Sequence, residues 1–178
     1  NNYFFESIKA ILGQKEKLGG IYGTVSDIGR IDHKYETALA TAAGNRVWAI
    51  VVDSDETAVA CIKYLKEHRL SSLTFFPLNK LRSYPIETAD RNEAGVVGRA
   101  IDLISYDRKF VKVFEQIFGD TLVVKSVDDA RRLGVGERRM VTMDGDIFEK
   151  TGVIKGGYKK AGLAIWASLT GNKFASQE

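Results

Sequence analysis

The sequence is short of cysteine, histidine and proline, has no long apolar run and carries no phosphate-binding loop; each gap removes a class of structure or chemistry. The single cysteine, Cys61, has no partner for an internal disulfide, so a stapled scaffold is excluded and a reducing compartment is expected. His33 and His68 each lack a neighbouring Cys or His at ligand spacing, which leaves no zinc-site pattern and reads both as surface residues. No apolar stretch approaches the roughly 18 to 20 residues of a membrane span. The Asn1-Asn2 opening lacks the basic-then-apolar order of a signal peptide, and a first residue other than Met fits a piece of something longer. Neither G-x-x-x-x-G-K-S/T nor G-x-G-x-x-G occurs, so the loops that present successive N–H groups to a diphosphate are missing.

What is present is 178 residues, 44% hydrophobic and 28% charged, with a mean hydropathy of −0.15: a soluble chain able to bury a core as one domain or two small lobes. The chain also repeats itself. Gly20-Ile-Tyr-Gly23-x-x-x-Asp27-Ile28 followed by Asp32-x-Lys34-Tyr35 returns 75 positions later as Gly95-Val-Val-Gly98-x-x-x-Asp102-Leu103 followed by Asp107-x-Lys109-Phe110. Gly44-Asn45 matches Gly119-Asp120, and after a three-residue deletion Val51-Val52-x-Ser54-x-x-x-Ala58 matches Val123-Val124-x-Ser126-x-x-x-Ala130. Two copies of one α/β unit imply two related half-domains rather than a solenoid, which needs more and shorter repeats.

Local patterns supply the elements. Phe5, Ile8, Ile11 and Leu12 recur at helical spacing, so an amphipathic helix is expected over residues 4–15. Residues 21–25 read as a strand. Asp32 caps a helix that runs to Ala43 and stops at Gly44; residues 47–52 form a buried strand; Ser54 or Asp55 caps a helix through His68 with Ala58, Cys61, Ile62 and Leu65 inward. Residues 73–76 make a further strand closed by Pro77. The second half repeats the order: residues 97–105 extended, Asp107 capping a helix to Phe118, a strand over 121–124, a helix over 127–133, and a strand over 140–143 ending in the hairpin signal Asp144-Gly145. The polar, aperiodic stretch 79–94, which holds Pro85, reads as the linker.

Possible chemical sites have plainer explanations. Asp53-Ser54-Asp55-Glu56 and Asp144-Gly-Asp146 carry oxygens that suit a hard cation, but helix capping and a hairpin turn account for them. Cys61 sits on the apolar face of its helix, where a thiol is buried and inert. No nucleophile, base and orienting group cluster, which weighs against an enzyme. Two features need a purpose. Thr151-Gly152-Val153-Ile154-Lys155-Gly156-Gly157-Tyr158 puts glycines in a strand, where they cost packing and chain entropy unless another backbone comes close. Charge is also lopsided: residues 150–178 hold five lysines against Glu178, a net +4, and the rest of the chain carries −1.

Taken together, the motifs resemble the hinge domain of the structural maintenance of chromosomes (SMC) family, from a prokaryotic source. The matching residues are Gly20-Ile-Tyr-Gly-Thr-Val-Ser-Asp27, Ala42-Ala-Gly-Asn-Arg46, Val51-Val-Asp53, Phe76-Pro-Leu-Asn79, Val97-Gly-Arg-Ala-Ile-Asp102, Phe118-Gly-Asp-Thr121, Val141-Thr-Met-Asp-Gly145 and Gly152-x-x-x-Gly156-Gly157. The resemblance implies a mixed α/β fold: a helical coiled-coil stub at 1–19, subdomain I at 20–78, a linker at 79–94, subdomain II at 95–160, and an exit segment at 161–178 that does not keep an a/d heptad. It implies a ring-shaped homodimer in which the glycine strand of one protomer, with Gly152, Ile154, Gly156, Gly157 and Tyr158, abuts the other's first subdomain. Lys155, Lys159 and Lys160 then fall at the hinge-to-coil junction, where weak, sequence-independent contact with DNA is expected. The family reading is a non-enzymatic dimerisation module of a chromosome condensation and segregation protein, cytoplasmic and nucleoid-associated. It binds no cofactor, small molecule or membrane; ATP and Mg belong to head domains elsewhere in such proteins. The competing reading is a small two-lobed α/β enzyme or ligand-binding domain using the cleft between its lobes.

Overall fold

A computed structural model of the chain describes residues 2–85 and 93–158. The first half runs α1 (Asn2–Leu12), α2 (Lys15–Leu18), β1 (Ile21–Thr24), α3 (Val25–Ile28), β2 (Gly29–Ile31), α4 (Glu36–Ala43), β3 (Ile50–Val52), α5 (Asp55–Glu67) and β4 (Phe75–Pro77). The second runs β5 (Val96–Arg99), β6 (Ile104–Tyr106), α6 (Val111–Phe118), β7 (Leu122–Val124), α7 (Val127–Leu133) and β8 (Met140–Thr142), then adds β9 (Ile147–Phe148) and β10 (Ile154–Lys155). The repeat is thus structural: β1 pairs antiparallel with β3 and β3 parallel with β4, while β5 pairs antiparallel with β7 and β7 parallel with β8. Even the irregularities recur, since each antiparallel pair is bulged just before its second glycine, Gly23 or Gly98.

Matched residues do matched work. Asp32 accepts the Lys34 N–H and Asp107 the Lys109 N–H, each at 3.1 Å, opening a 3-10 turn that leads into α4 or α6. Ser54 and Ser126 accept the N–H groups of Thr57 and Asp129 and so start α5 and α7. Gly20 and Gly95 enter β1 and β5 at φ of 73° and 86°, with their carbonyls accepting from Asp53 and Lys125 at 2.8 Å. A side chain at either would also run into a carboxylate, that of Asp53 or Asp129, so only glycine fits.

The halves meet through a two-stranded ribbon of β2 and β6. Its register, Gly29↔Tyr106, Arg30↔Ser105 and Ile31↔Ile104, is centred on positions 30 and 105, which are equivalent in the repeat. A pseudo-twofold axis therefore passes through that pair. Arg30 and Ser105 face water, whereas Gly29 and Ile104 turn inward against Phe114, and the Tyr106 ring stacks on Phe114 at 4.4 Å. One apolar cluster holds residues of both halves, among them Val25, Leu39, Val51, Ile101, Phe114 and Val123. A second lies under α1 and α5 (Ile8, Ile11, Ile50, Cys61, Leu65), a third under α7 (Leu122, Ala130, Met140, Phe148).

Several expectations shift. The helix expected at 4–15 ends at Leu12 and resumes as α2. Residues 44–48 form a 3-10 stretch, so the strand starts at Ile50 rather than Val47; a buried apolar run has no period that separates the two conformations. Ile62 is half-exposed, because the inward stripe of α5 is the narrow one through Ala58, Cys61 and Leu65. The stretch 97–105 is broken by a 3-10 turn at Ala100–Asp102, the counterpart of α3. In the linker, Asn79 caps α5 by accepting the Asp55 N–H at 3.0 Å, and the Arg82 carbonyl accepts from Gln116 at 2.7 Å. Residues 86–92 and 159–178, which include the whole exit segment, lie outside the described residues.

Candidate association surface

The second half carries the β9–β10 hairpin, which the first half lacks, and this hairpin extends its sheet past the strand that corresponds to β4. Its sheet has the order β10-β9-β8-β7-β5, so β10 is outermost. The chain reaches β9 through the Asp144-Gly145 turn, closed by Gly145 N–H to Thr142 O and Thr142 N–H to Asp146 O, both at 2.9 Å. It reaches β10 through a second tight turn in which Gly152 N–H donates to Glu149 O at 2.9 Å. Gly152 has φ of 95° and open space around it, so this glycine answers to the turn.

β10 pairs with β9 on one side only, Ile154 with Phe148 and Lys155 with Ile147. Its side chains are left in water: Val153 is 62% exposed, Ile154 56% and Tyr158 92%. An edge strand with exposed apolar residues is a template for another chain's strand. Gly156 and Gly157 follow on the same edge. Gly157 N–H donates to Asp146 Oδ1 at 3.2 Å, and Asp146 Oδ2 accepts from the Thr142 hydroxyl at 2.8 Å.

A complementary edge exists in the first half. Its sheet has the order β1-β3-β4, and β4 occupies the place of β8 without an equivalent of β9 beside it. Pro77 suits such an outer strand, since it has no N–H to offer a neighbour. Beside it lies a shallow cavity of about 330 Å³ lined by Phe4, Phe5, Trp48, Ser72 and Thr74. A larger groove of about 530 Å³ runs between the C-terminal end of α4 and the hairpin; its walls include Thr41, Asn45, Trp48, Ile147, Lys155 and Tyr158. Lys155 and Tyr158 are the ionisable side chains among its lining residues.

The five expected contact residues, Gly152, Ile154, Gly156, Gly157 and Tyr158, all fall on this exposed edge, and Lys155 lies among them. Lys159 and Lys160 lie outside the described residues. Val153 was not among the contact residues expected from the sequence, and Asp146 was weighed there only as a cation ligand that a hairpin turn explains. Lining up the halves could have flagged the hairpin, since residues 143–158 have no counterpart after β4. The other candidates are structural. Asp55 exchanges hydrogen bonds with Asn79, which holds its carboxyl below the usual carboxylate range. Burial pushes the Cys61 thiol up to about 11. His33 lies near Glu36 at 3.3 Å, and His68 stacks on Tyr64 at 4.0 Å. Among the described residues no group of three His, Cys, Asp or Glu is placed to hold a metal, and no helix is long and apolar enough to cross a membrane.

Residues 18–134 match the family described as SMC proteins flexible hinge domain. The chromosome partition protein Smc of Gloeobacter violaceus is 45% identical over 141 residues, which are 79% of this chain and 12% of that protein. The chain therefore spans about an eighth of that relative's length. Solved hinge structures share the fold. The hinge domain of Geobacillus stearothermophilus SMC, solved as an asymmetric dimer, superposes with a TM-score of 0.82 at 29% identity, covering 96% of this chain and 72% of that one. The Pyrococcus furiosus SMC hinge domain gives 0.71 at 35% identity, covering 92% and 94%. With its residues 18–134 matched by the family's model and 45% identity to a curated relative over 79% of its length, this chain belongs to the SMC hinge family.

Proposed function

We propose that the chain dimerises SMC protomers by β-strand addition. The β10 edge of one protomer meets the β4 edge of a second, and twofold symmetry repeats the contact to close a ring. The observation that carries this reading is the exposed apolar edge at Val153, Ile154 and Tyr158, set on the half that has the hairpin and opposite in kind to the uncovered β4 of the other half. The dimeric hinge of G. stearothermophilus supports it by kinship. Sedimentation at micromolar concentration tests it. The wild type should be a dimer and Ile154→Glu a folded monomer, because the change puts a carboxylate into a buried apolar contact without touching the monomer's core. A monomeric wild type whose melting point rises with a small ligand would favour the two-lobed binding domain instead.

Within a whole Smc protein, the chain joins two long arms far from ATP-binding heads, in the cytoplasm and on the chromosome, and itself needs neither ATP nor Mg. Contact with DNA is confined to phosphates, through Lys155, Lys159 and Lys160, with no array for reading base edges. Lys159→Glu with Lys160→Glu should weaken binding on every sequence and flatten its salt dependence while the dimer persists. Unchanged binding in a salt titration would move the contact elsewhere, to Arg131, Arg132, Arg138 and Arg139 on the second half.

A further inference from the structure

We infer that Asp146 is a positioning residue for the association edge, and that Gly156 is glycine because of this carboxylate in its own chain rather than because of a partner's backbone. The inference rests on the dimer reading and names what holds that edge in shape. Asp146 follows the β8–β9 turn, where four hydrogen bonds fix it. Its N–H donates to Thr142 Oγ1 at 2.9 Å, its carbonyl accepts from Thr142 N–H at 2.9 Å, its Oδ2 accepts from the Thr142 hydroxyl, and its Oδ1 accepts from Gly157 N–H. The last bond crosses the hairpin. It fastens the chain just past β10, where strand pairing with β9 has already stopped at Lys155.

That fastening leaves no room at Gly156. A Cβ there would collide with Asp146 Oδ1 and lie 3.0 Å from Cγ and 3.1 Å from the Asp146 Cβ. Its backbone is not among those with positive φ, so an alanine is disfavoured by this one contact, which would push the Asp146 carboxylate aside, and not by conformation. Gly157 is the opposite case, with nothing within 4 Å of its missing side chain. The two adjacent glycines therefore have different reasons. Gly156 lets the chain lie against the carboxylate, and Gly157, whose N–H the carboxylate holds, has φ of 152°, which favours glycine. With the segment held, Ile154 and Tyr158 are presented in a single arrangement, so a partner strand meets an edge already ordered and loses less freedom on binding.

A double-mutant cycle on dimerisation tests this, with sedimentation equilibrium giving Kd and amide exchange giving the protection of Gly157. Gly156→Ala should weaken the dimer about tenfold or more, as should Asp146→Ala, which should also speed Gly157 exchange; coupled neighbours of this kind depart from additivity. Gly156→Ala should cost much less in the Asp146→Ala background than in wild type, since the obstructed carboxylate is gone and only the Cβ contact at 3.1 Å is left. Asp146→Asn keeps an acceptor oxygen and should restore both Kd and Gly157 protection, which a loss of general stability would not do. If Gly156→Ala costs the same in both backgrounds, the glycine belongs to the partner contact and the inference fails. Unchanged Gly157 exchange in Asp146→Ala overturns it as well, and that measurement decides the matter even if the wild type proves monomeric and the dimer reading itself falls.

Discussion

Cys61 shows how a residue's chemistry is set by where its helix turns. On α5 it shares the inward stripe with Ala58 and Leu65, fully buried beneath β3 and α1, and desolvation of the thiolate raises its pKa to about 11. The neutral thiol is the folded form, so the unfolded chain releases its proton first as pH rises. The contribution to stability is whole below about pH 9 and is lost progressively towards pH 11, by at most about 3 kcal/mol. Urea denaturation of the wild type and Cys61→Ala at several pH values isolates this term, because the other titrating groups cancel in the difference. Wild type should lose ground against Cys61→Ala between pH 9 and 11. A constant difference would mean that the thiol ionises as readily folded as unfolded.

At the scale of elements, the duplication makes a quantitative claim. Asp32 and Asp107 hold the same geometry to the same kind of N–H and open the same 3-10 turn, and both are exposed. Replacement of either by Ala should cost about 0.5–2 kcal/mol, with the two values close to each other and dimerisation unaffected. Denaturation midpoints check the first point and sedimentation the second; a large inequality would show that the halves are not energetic twins. The helix starts were legible in the sequence because an N-cap needs a particular side chain at one position. Strand bounds were less so: Val47 and Ile50 are both buried and apolar, and the 3-10 stretch between α4 and β3 packs on α3 and α4, contacts that leave no local pattern.

For the whole molecule, the ribbon of β2 and β6 makes two repeats into one body. Arg46 of the first half donates to Gln116 O of the second at 2.8 Å, Tyr22 packs edge-on against Phe110 at 5.1 Å, and the largest core cluster draws on both halves. The crossing point is Gly29, where an added Cβ would lie 2.8 Å from Ile104 Cδ1 and 2.9 Å from Phe114 Cζ. Gly29→Ala should destabilise the fold by about 1–3 kcal/mol through overpacking. Because both halves share that core, circular dichroism and tryptophan fluorescence should report the same single transition, moved to lower urea. Two separated transitions would show that the halves fold independently.

The sequence by itself determined the duplication, the caps, the hairpin turn and the family, because each depends on a few residue types at set spacings: Asp or Ser before a helix, Gly where φ is positive, Asp-Gly at a tight turn. It also pointed to the glycine-bearing segment, since glycines in a strand demand a cause. What only the tertiary structure decided was the cause at each glycine and the face each neighbour presents. Gly152 serves a turn, Gly156 yields to Asp146 and Gly157 bonds to it, distinctions that rest on contacts across the hairpin and leave no local pattern. The same holds for the open edge of β4 and the exposed edge of β10: a strand's place in its sheet depends on which strands pair, and pairing joins residues far apart in the chain.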